Sequence, residues 1–143
     1  MSDAAFVTTA AASWASGRAV FAIVGPSENE LLGAMGFVGP AEDGTAEIGY
    51  WVSPWARGRG VARTATRLIC RWAFVELGLF RIEWQTFVGN ETSRRVAESC
   101  GFRYEGVLRG RSSQRGERRD HWVAGLLRTD PAAIDLCAPS TRL

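Results

Sequence analysis

Lysine is missing from this chain: all 17 basic side chains among its 143 residues are arginine, set against 15 acidic ones. That absence excludes a nucleotide P-loop, which ends in an obligatory lysine. Beside the abundant alanine it reads as codon bias, and a net charge of +2 is too small to call for nucleic acid. Histidine occurs once, at His121, and cysteine three times, at Cys70, Cys100 and Cys137. An odd number of distant cysteines with no C-x-x-C excludes a disulfide framework and a zinc site. A catalytic thiolate lacks a histidine in any recognisable arrangement, so the thiols read as small packed residues and no metal is expected. No apolar run is long enough for a membrane span, and Met1-Ser-Asp lacks the basic and apolar start of a secretory signal. The expectation is a cytoplasmic protein with no membrane partner.

With 46% hydrophobic and 22% charged residues the chain can bury a proper core. It reads as one domain over residues 1–128, followed by a loose tail over 129–143. Phe6, Ala10 and Trp14 at i, i+4, i+8 predict a short helix over Ala4–Ser16 closed by Gly17. Arg18–Val24 and Leu31–Val38 read as a strand hairpin, and Ala46–Val52 as a third strand. Val61–Leu77 has a clear apolar side opposite Arg63, Arg67 and Arg71. A strand follows over Leu79–Phe87, a short helix over Asn90–Cys100 and strands over Phe102–Leu108 and His121–Leu127, with Arg109–Arg119 as a polar turn. The class is therefore α+β with a mixed, mostly antiparallel sheet, and the strand–helix–strand unit from Glu47 to Phe87 supplies a right-handed parallel step.

The chain is organised around Glu47–Ala62, an extended segment running through a glycine-rich turn into a helix. Pro54 ends the strand, and Gly58 and Gly60 let backbone N–H groups turn inward. The helix beginning at Val61 aims its unsatisfied N–H groups and positive dipole end at the same place, with Arg57 and Arg59 as added charge. An anion is expected there. A dinucleotide fingerprint fits poorly, because Arg63 occupies the third glycine position and no acid is well placed downstream.

R-x-x-G-x-A at Arg57–Ala62, preceded by V-x-P at Val52–Pro54, is similar to the acyl-CoA pyrophosphate loop of the GNAT N-acetyltransferases. Asn90-Glu-Thr-Ser93 followed by Cys100-Gly-Phe102 resembles that superfamily's second CoA-side element. Glu105-Gly-Val-Leu-Arg109 with Arg119-Asp120 resembles its ribosomal-protein N-terminal (RimJ/RimL-type) branch, and the likeness runs from about Trp14 to Arg128. The resemblance implies acetyl-CoA as cosubstrate and direct attack by a primary amine, of a protein N-terminus or a small molecule, on the thioester. It places the pyrophosphate on Arg57, Gly58, Arg59, Gly60, Val61 and Ala62, the pantetheine on Trp51 and Val52, and Asn90 and Ser93 beside pantetheine and sulfur. One backbone N–H of the Trp51–Val52 pair would polarise the thioester carbonyl.

For the general base, Glu47 comes first and Glu83 second, against a plain carboxylate–arginine pairing. The family's thiolate acid, a tyrosine seven residues after the asparagine, is here Ala97. Ser93 takes that role, with Ser99 or water behind it. Ser112 stands where the RimL-like branch has a catalytic glutamate, so that base does not carry over. Relatives begin with a further strand and helix. Without them the sheet edge at Arg18–Val24 would be open, which points to a homodimer. The alternative function is an acyl-CoA-binding domain with little or no turnover; an RNA-binding module, argued only from Arg109–Arg119, lacks the aromatics that stack bases. Of six tryptophans, Trp14, Trp72, Trp84 and Trp122 read as core, and Trp51 and Trp55, with Tyr50, as channel walls. His121 reads as a packed or edge residue that Asp120 could orient.

Overall fold

A computed structural model describes residues 6–9, 20–25, 30–38 and 41–139. Its elements are β1 (Phe6–Thr9), β2 (Val20–Val24), β3 (Leu31–Phe37), β4 (Thr45–Val52), α1 (Val61–Val75), β5 (Arg81–Phe87), α2 (Glu91–Ser99), β6 (Arg103–Gln114), β7 (Glu117–Leu127) and α3 (Pro131–Cys137). Among the described residues the strands form one seven-stranded sheet in the order β1-β2-β3-β4-β5-β7-β6. All neighbours are antiparallel except β4 and β5, the parallel pair joined by α1. The expected α+β architecture is thus present.

Strand alternation sorts the side chains onto two faces. Phe21, Met35, Ile48, Ile82, Trp84 and Leu126 are buried together with Val61, Ala65, Ile69 and Ala73 of α1 and Ala97 of α2. The Phe21 ring meets Trp72 edge to face at 5.0 Å, and the Thr66 hydroxyl lies 3.7 Å from Met35 Sδ. Cys70 and Cys100 belong to the same core. The opposite face carries Glu47, Gly49, Trp51, Glu83, Gln85 and Phe87 by the same alternation, and no described helix covers it.

Several expectations are corrected. Phe6–Thr9, read as helical, is a strand paired with β2, because β-branched Val7, Thr8 and Thr9 favour the pleat. The rest of the expected helix, with Trp14 and Gly17, lies outside the described residues. The same pairing covers the edge at Val20–Val24 that the sequence left open. Arg109–Arg119 is not a turn but the middle of a long hairpin. Its two-residue loop, Arg115-Gly116, has φ of 53° and 80°, the mirror-image turn that matches strand twist.

The stretch from Thr129, expected to be loose, contains α3. Ala133 is buried, and Arg71 donates to the carbonyls of Leu136 and Ala138 at 3.0 and 3.1 Å. Asp130 accepts from the Leu127 N–H at 2.9 Å and turns the chain into this helix. Gly101 has φ of 95°, and a Cβ there would come within 2.3 Å of the Ala132 Cβ. Gly101→Ala is therefore expected to destabilise the protein by about 1–3 kcal/mol, measured as a lowered urea midpoint; an unchanged midpoint would mean that α3 does not pack on this turn.

Candidate functional site

β4 and β5 pair only through Thr45↔Arg81, Ala46↔Ile82, Glu47↔Glu83 and Ile48↔Trp84. Beyond Ile48 both strands continue, but apart. The Ser53 N–H bonds Leu32 O, and Glu47 O accepts from Val38 N–H, so residues 47, 49, 51 and 53 turn their backbone groups toward β3. By alternation Tyr50 and Val52 present theirs to the gap. Of the expected pantetheine pair, Val52 faces the gap with its backbone, whereas Trp51 spends its main-chain groups on β3 and lines the opening with its side chain.

Aromatic wedging holds the gap open. Tyr50 and Trp84 meet on the helix side at 5.2 Å between centroids, and Trp84 packs on Phe102 at 5.4 Å. The Trp84 Nε1–H donates to Ser93 Oγ at 3.0 Å, so α2 plugs into the splay through a serine that is 8% exposed. Asn90 caps α2 by accepting from the Ser93 N–H at 3.2 Å, which fixes that serine's position. Burial pushes the pKa of the Tyr50 phenol up, and neighbouring Ser93 opposes that shift.

The result is a cavity of about 810 Å³ running through the sheet. Tyr50, Trp84, Asn90 and Ser93 line it from the helix face, and Glu47, Gln85, Phe87 and His121 from the other. At its mouth lie Arg57, Gly58, Gly60, Val61 and Ala62. Gly58 and Gly60 have φ of 78° and 74°, and a Cβ on either would meet nothing within 4 Å. Glycine is needed there for backbone direction rather than for space. Gly60 caps α1 and brings no side chain to its first N–H groups, leaving them for an anion. Arg57 donates from Nε to Val52 O at 3.3 Å. Arg59 is turned away to Glu30 at 3.7 Å and does not line the cavity; Arg63 does, and the sequence reading assigned it no role.

The two base candidates separate. Glu83 accepts from Arg81 at 2.9 Å and from Gln85 Nε2 at 2.8 Å. Glu47 has no such partner among the described hydrogen bonds. Its pKa is raised by burial and by the neighbouring Glu83, against the opposing pull of Arg111. Ala97 is buried in the core and does not line the cavity, so the position of the family's tyrosine supplies no side chain there; Val96, next to it, does. Sequence reasoning missed Gln85 and Phe87 at the cavity wall. The alternation Arg81-Ile-Glu-Trp-Gln-Thr-Phe87 could have exposed them, because it puts polar groups and Phe87 together on one face.

Two outcomes are expected. Ser93→Ala strands the buried indole N–H of Trp84 and should cost about 1–3 kcal/mol in a urea titration. Glu47 has a raised folded-state pKa, so its contribution to stability is present below its unfolded pKa and is lost as pH rises through the folded one. Glu47→Gln should therefore melt above the wild type at pH 7, with the difference disappearing below pH about 4; a variant that melts lower at pH 7 would contradict this.

The acetyltransferase (GNAT) domain model matches residues 2–103. YjcK of Bacillus subtilis (strain 168), named a probable N-acetyltransferase, is 35% identical over 112 residues, covering 77% of this chain and 62% of YjcK. YdaF of the same strain, provisionally named a ribosomal N-acetyltransferase, is 39% identical over 85 residues, 59% of this chain and 46% of YdaF. The chain thus spans about half to three-fifths of these curated relatives. The solved structure of Mycobacterium smegmatis RimJ with CoA-disulfide superposes with a TM-score of 0.77 at 28% identity, covering 88% of this chain and 62% of that one.

Proposed function

The chain belongs to the GNAT acetyltransferase domain family, and from that premise we propose that it transfers an acetyl group from acetyl-CoA to a primary amine in a ternary complex. The observation that carries this reading is the splay of β4 from β5 with a glycine cradle at its mouth. Acetyl-CoA supplies an activated thioester, and the residues fit its parts. The cradle from Arg57 to Ala62 takes the pyrophosphate, and Tyr50 and the Val52 N–H offer the gap backbone groups without a strand partner, of the kind an amide chain satisfies, the Val52 carbonyl already accepting from Arg57. The Val52 N–H is the donor aimed at developing negative charge on the carbonyl oxygen.

Glu47 accepts a proton from the amine; its raised pKa brings it closer to working pH, and Glu83 is engaged by Arg81 and Gln85. Ser93, between the Trp84 indole and the Tyr50 phenol, returns a proton to the leaving thiolate. The acceptor enters from the helix-free face, where Glu47 favours a cationic amine. A protein N-terminus and a small-molecule amine are both of this class, and the reading includes action in the cytoplasm; the homodimer expected from an open edge at Arg18–Val24 loses that ground, because β1 covers the edge.

Isothermal titration with acetyl-CoA, followed by thiol release over a panel of amines and peptides, tests the reading. Gly60→Trp should abolish acetyl-CoA binding. Glu47→Gln should retain the wild-type Kd and lose about 10²-fold in kcat. Wild-type binding without thiol release on any amine would favour an acyl-CoA-binding domain lacking turnover; no binding at sub-millimolar acetyl-CoA would remove both.

A further inference from the structure

We propose that His121, at the cavity wall, and Ser112, half-buried beside it just outside the lining, form a proton-accepting pair which removes the first proton from the incoming ammonium; this rests on the amine-acetylation reading above. Leu108 pairs with His121 and Ser112 with Arg119, so residues 109–111 oppose Asp120 alone in a β-bulge. Asp120 secures the bulge by accepting from the Gly110 N–H at 2.7 Å, with Gly110 at φ of 58°. The extra residues set Ser112 diagonally beside His121 on the same face, with Oγ 2.7 Å from Nε2.

The direction of every hydrogen bond in this chain follows from one end. Arg81 can only donate, and gives Nη2–H to Glu83 Oε1 at 2.9 Å. Glu83 as a carboxylate can only accept, and takes the Gln85 Nε2–H at 2.8 Å. The other atom of that amide, Oε1, then faces His121 Nδ1 at 3.0 Å, so Nδ1 carries the proton. A neutral imidazole with Nδ1–H has its lone pair on Nε2, and Ser112 donates to it. The array ends in a hydroxyl polarised toward the lone pair of a cavity-lining histidine, with the remaining oxygen lone pairs as its proton-accepting end.

The surrounding groups keep the imidazole neutral. Burial and Arg111 of β6 hold His121 below its usual range. Arg119 lies over the Phe87 ring that packs edge-on against the imidazole, Glu47 lines the same cavity, and Glu83 reaches the ring only through Gln85. Asp120 is turned to Gly110. An arriving ammonium passes a proton to Ser112 Oγ while the serine proton moves to Nε2, and the N–H electron pair stays on the amine nitrogen. The products are a neutral amine, an intact serine and an imidazolium whose Nδ1–H remains on Gln85. Glu47 is left for the second proton, released as the amide forms.

His121 is the only histidine, so its resonances need no assignment. Nitrogen-15 NMR of the imidazole should show the Nδ1–H tautomer, and its titration should coincide with the acid limb of kcat/KM for amines. His121→Asn should lower kcat/KM about 100-fold while leaving the acetyl-CoA Kd unchanged. Gln85→Glu places a carboxylate against Nδ1–H, and should move the imidazole pKa and the acid limb upward together. An Nε2–H tautomer, His121→Asn activity equal to wild type, or an acid limb that ignores Gln85→Glu would each overturn the pair alone. No thiol release by the wild type on any amine would overturn the acetylation reading and the pair with it.

Discussion

Backbone hydrogen bonding between β4 and β5 ends at the Ile48↔Trp84 pair although both strands run on, leaving the main-chain groups of Tyr50 and Val52 without a strand partner inside a sheet. Such groups are costly unless something satisfies them. The fold sustains the opening because two aromatic rings wedge it and the Trp84–Ser93 bond ties α2 across it. Pro54, two residues past β4, ends any prospect of the strands rejoining and starts the turn that delivers Gly58 and Gly60 to the mouth.

The two faces of the sheet divide the chemistry. On the helix side lie the cradle, Asn90 and Ser93, a setting of fixed N–H groups and buried hydroxyls suited to a long anionic ligand. On the other lie Glu47, Gln85 and His121, polar and partly open, suited to a smaller charged one. The same alternation that builds the core therefore also keeps the two sets of polar groups apart, and the cavity connects them only where the ladder has parted.

Much of this was legible in the sequence. Helical periodicity and bounding glycines gave α1 nearly to the residue, and the glycine turn placed the cradle, because local geometry forces these features. What depended on long-range pairing was not. Arg109–Arg119 has no apolar alternation, since both of its faces are solvated, so its strand character appears only through β7 and the bulge. The link from His121 to Ser112 and Gln85 spans three strands, and no spacing rule foretells it. The position of Arg59 depends on pairing of the same long-range kind: its charge sits beside the cradle in sequence, and Glu30, distant in the chain, lies 3.7 Å from it.

The four-pair parallel ladder also makes the centre of this sheet, ordinarily its stiffest region, as thin a seam as the edge pairing of β1 with β2. Strands β1–β4 lie on one side of it and β5–β7 on the other, and what joins them besides those rungs is packing, chiefly of α1 against the sheet, α2 and α3. A ligand seated in the splay bridges both halves and acts as a crosslink between them. Conformational stability then becomes a function of ligand concentration, gaining about 2.7 kcal/mol at a hundredfold excess over Kd.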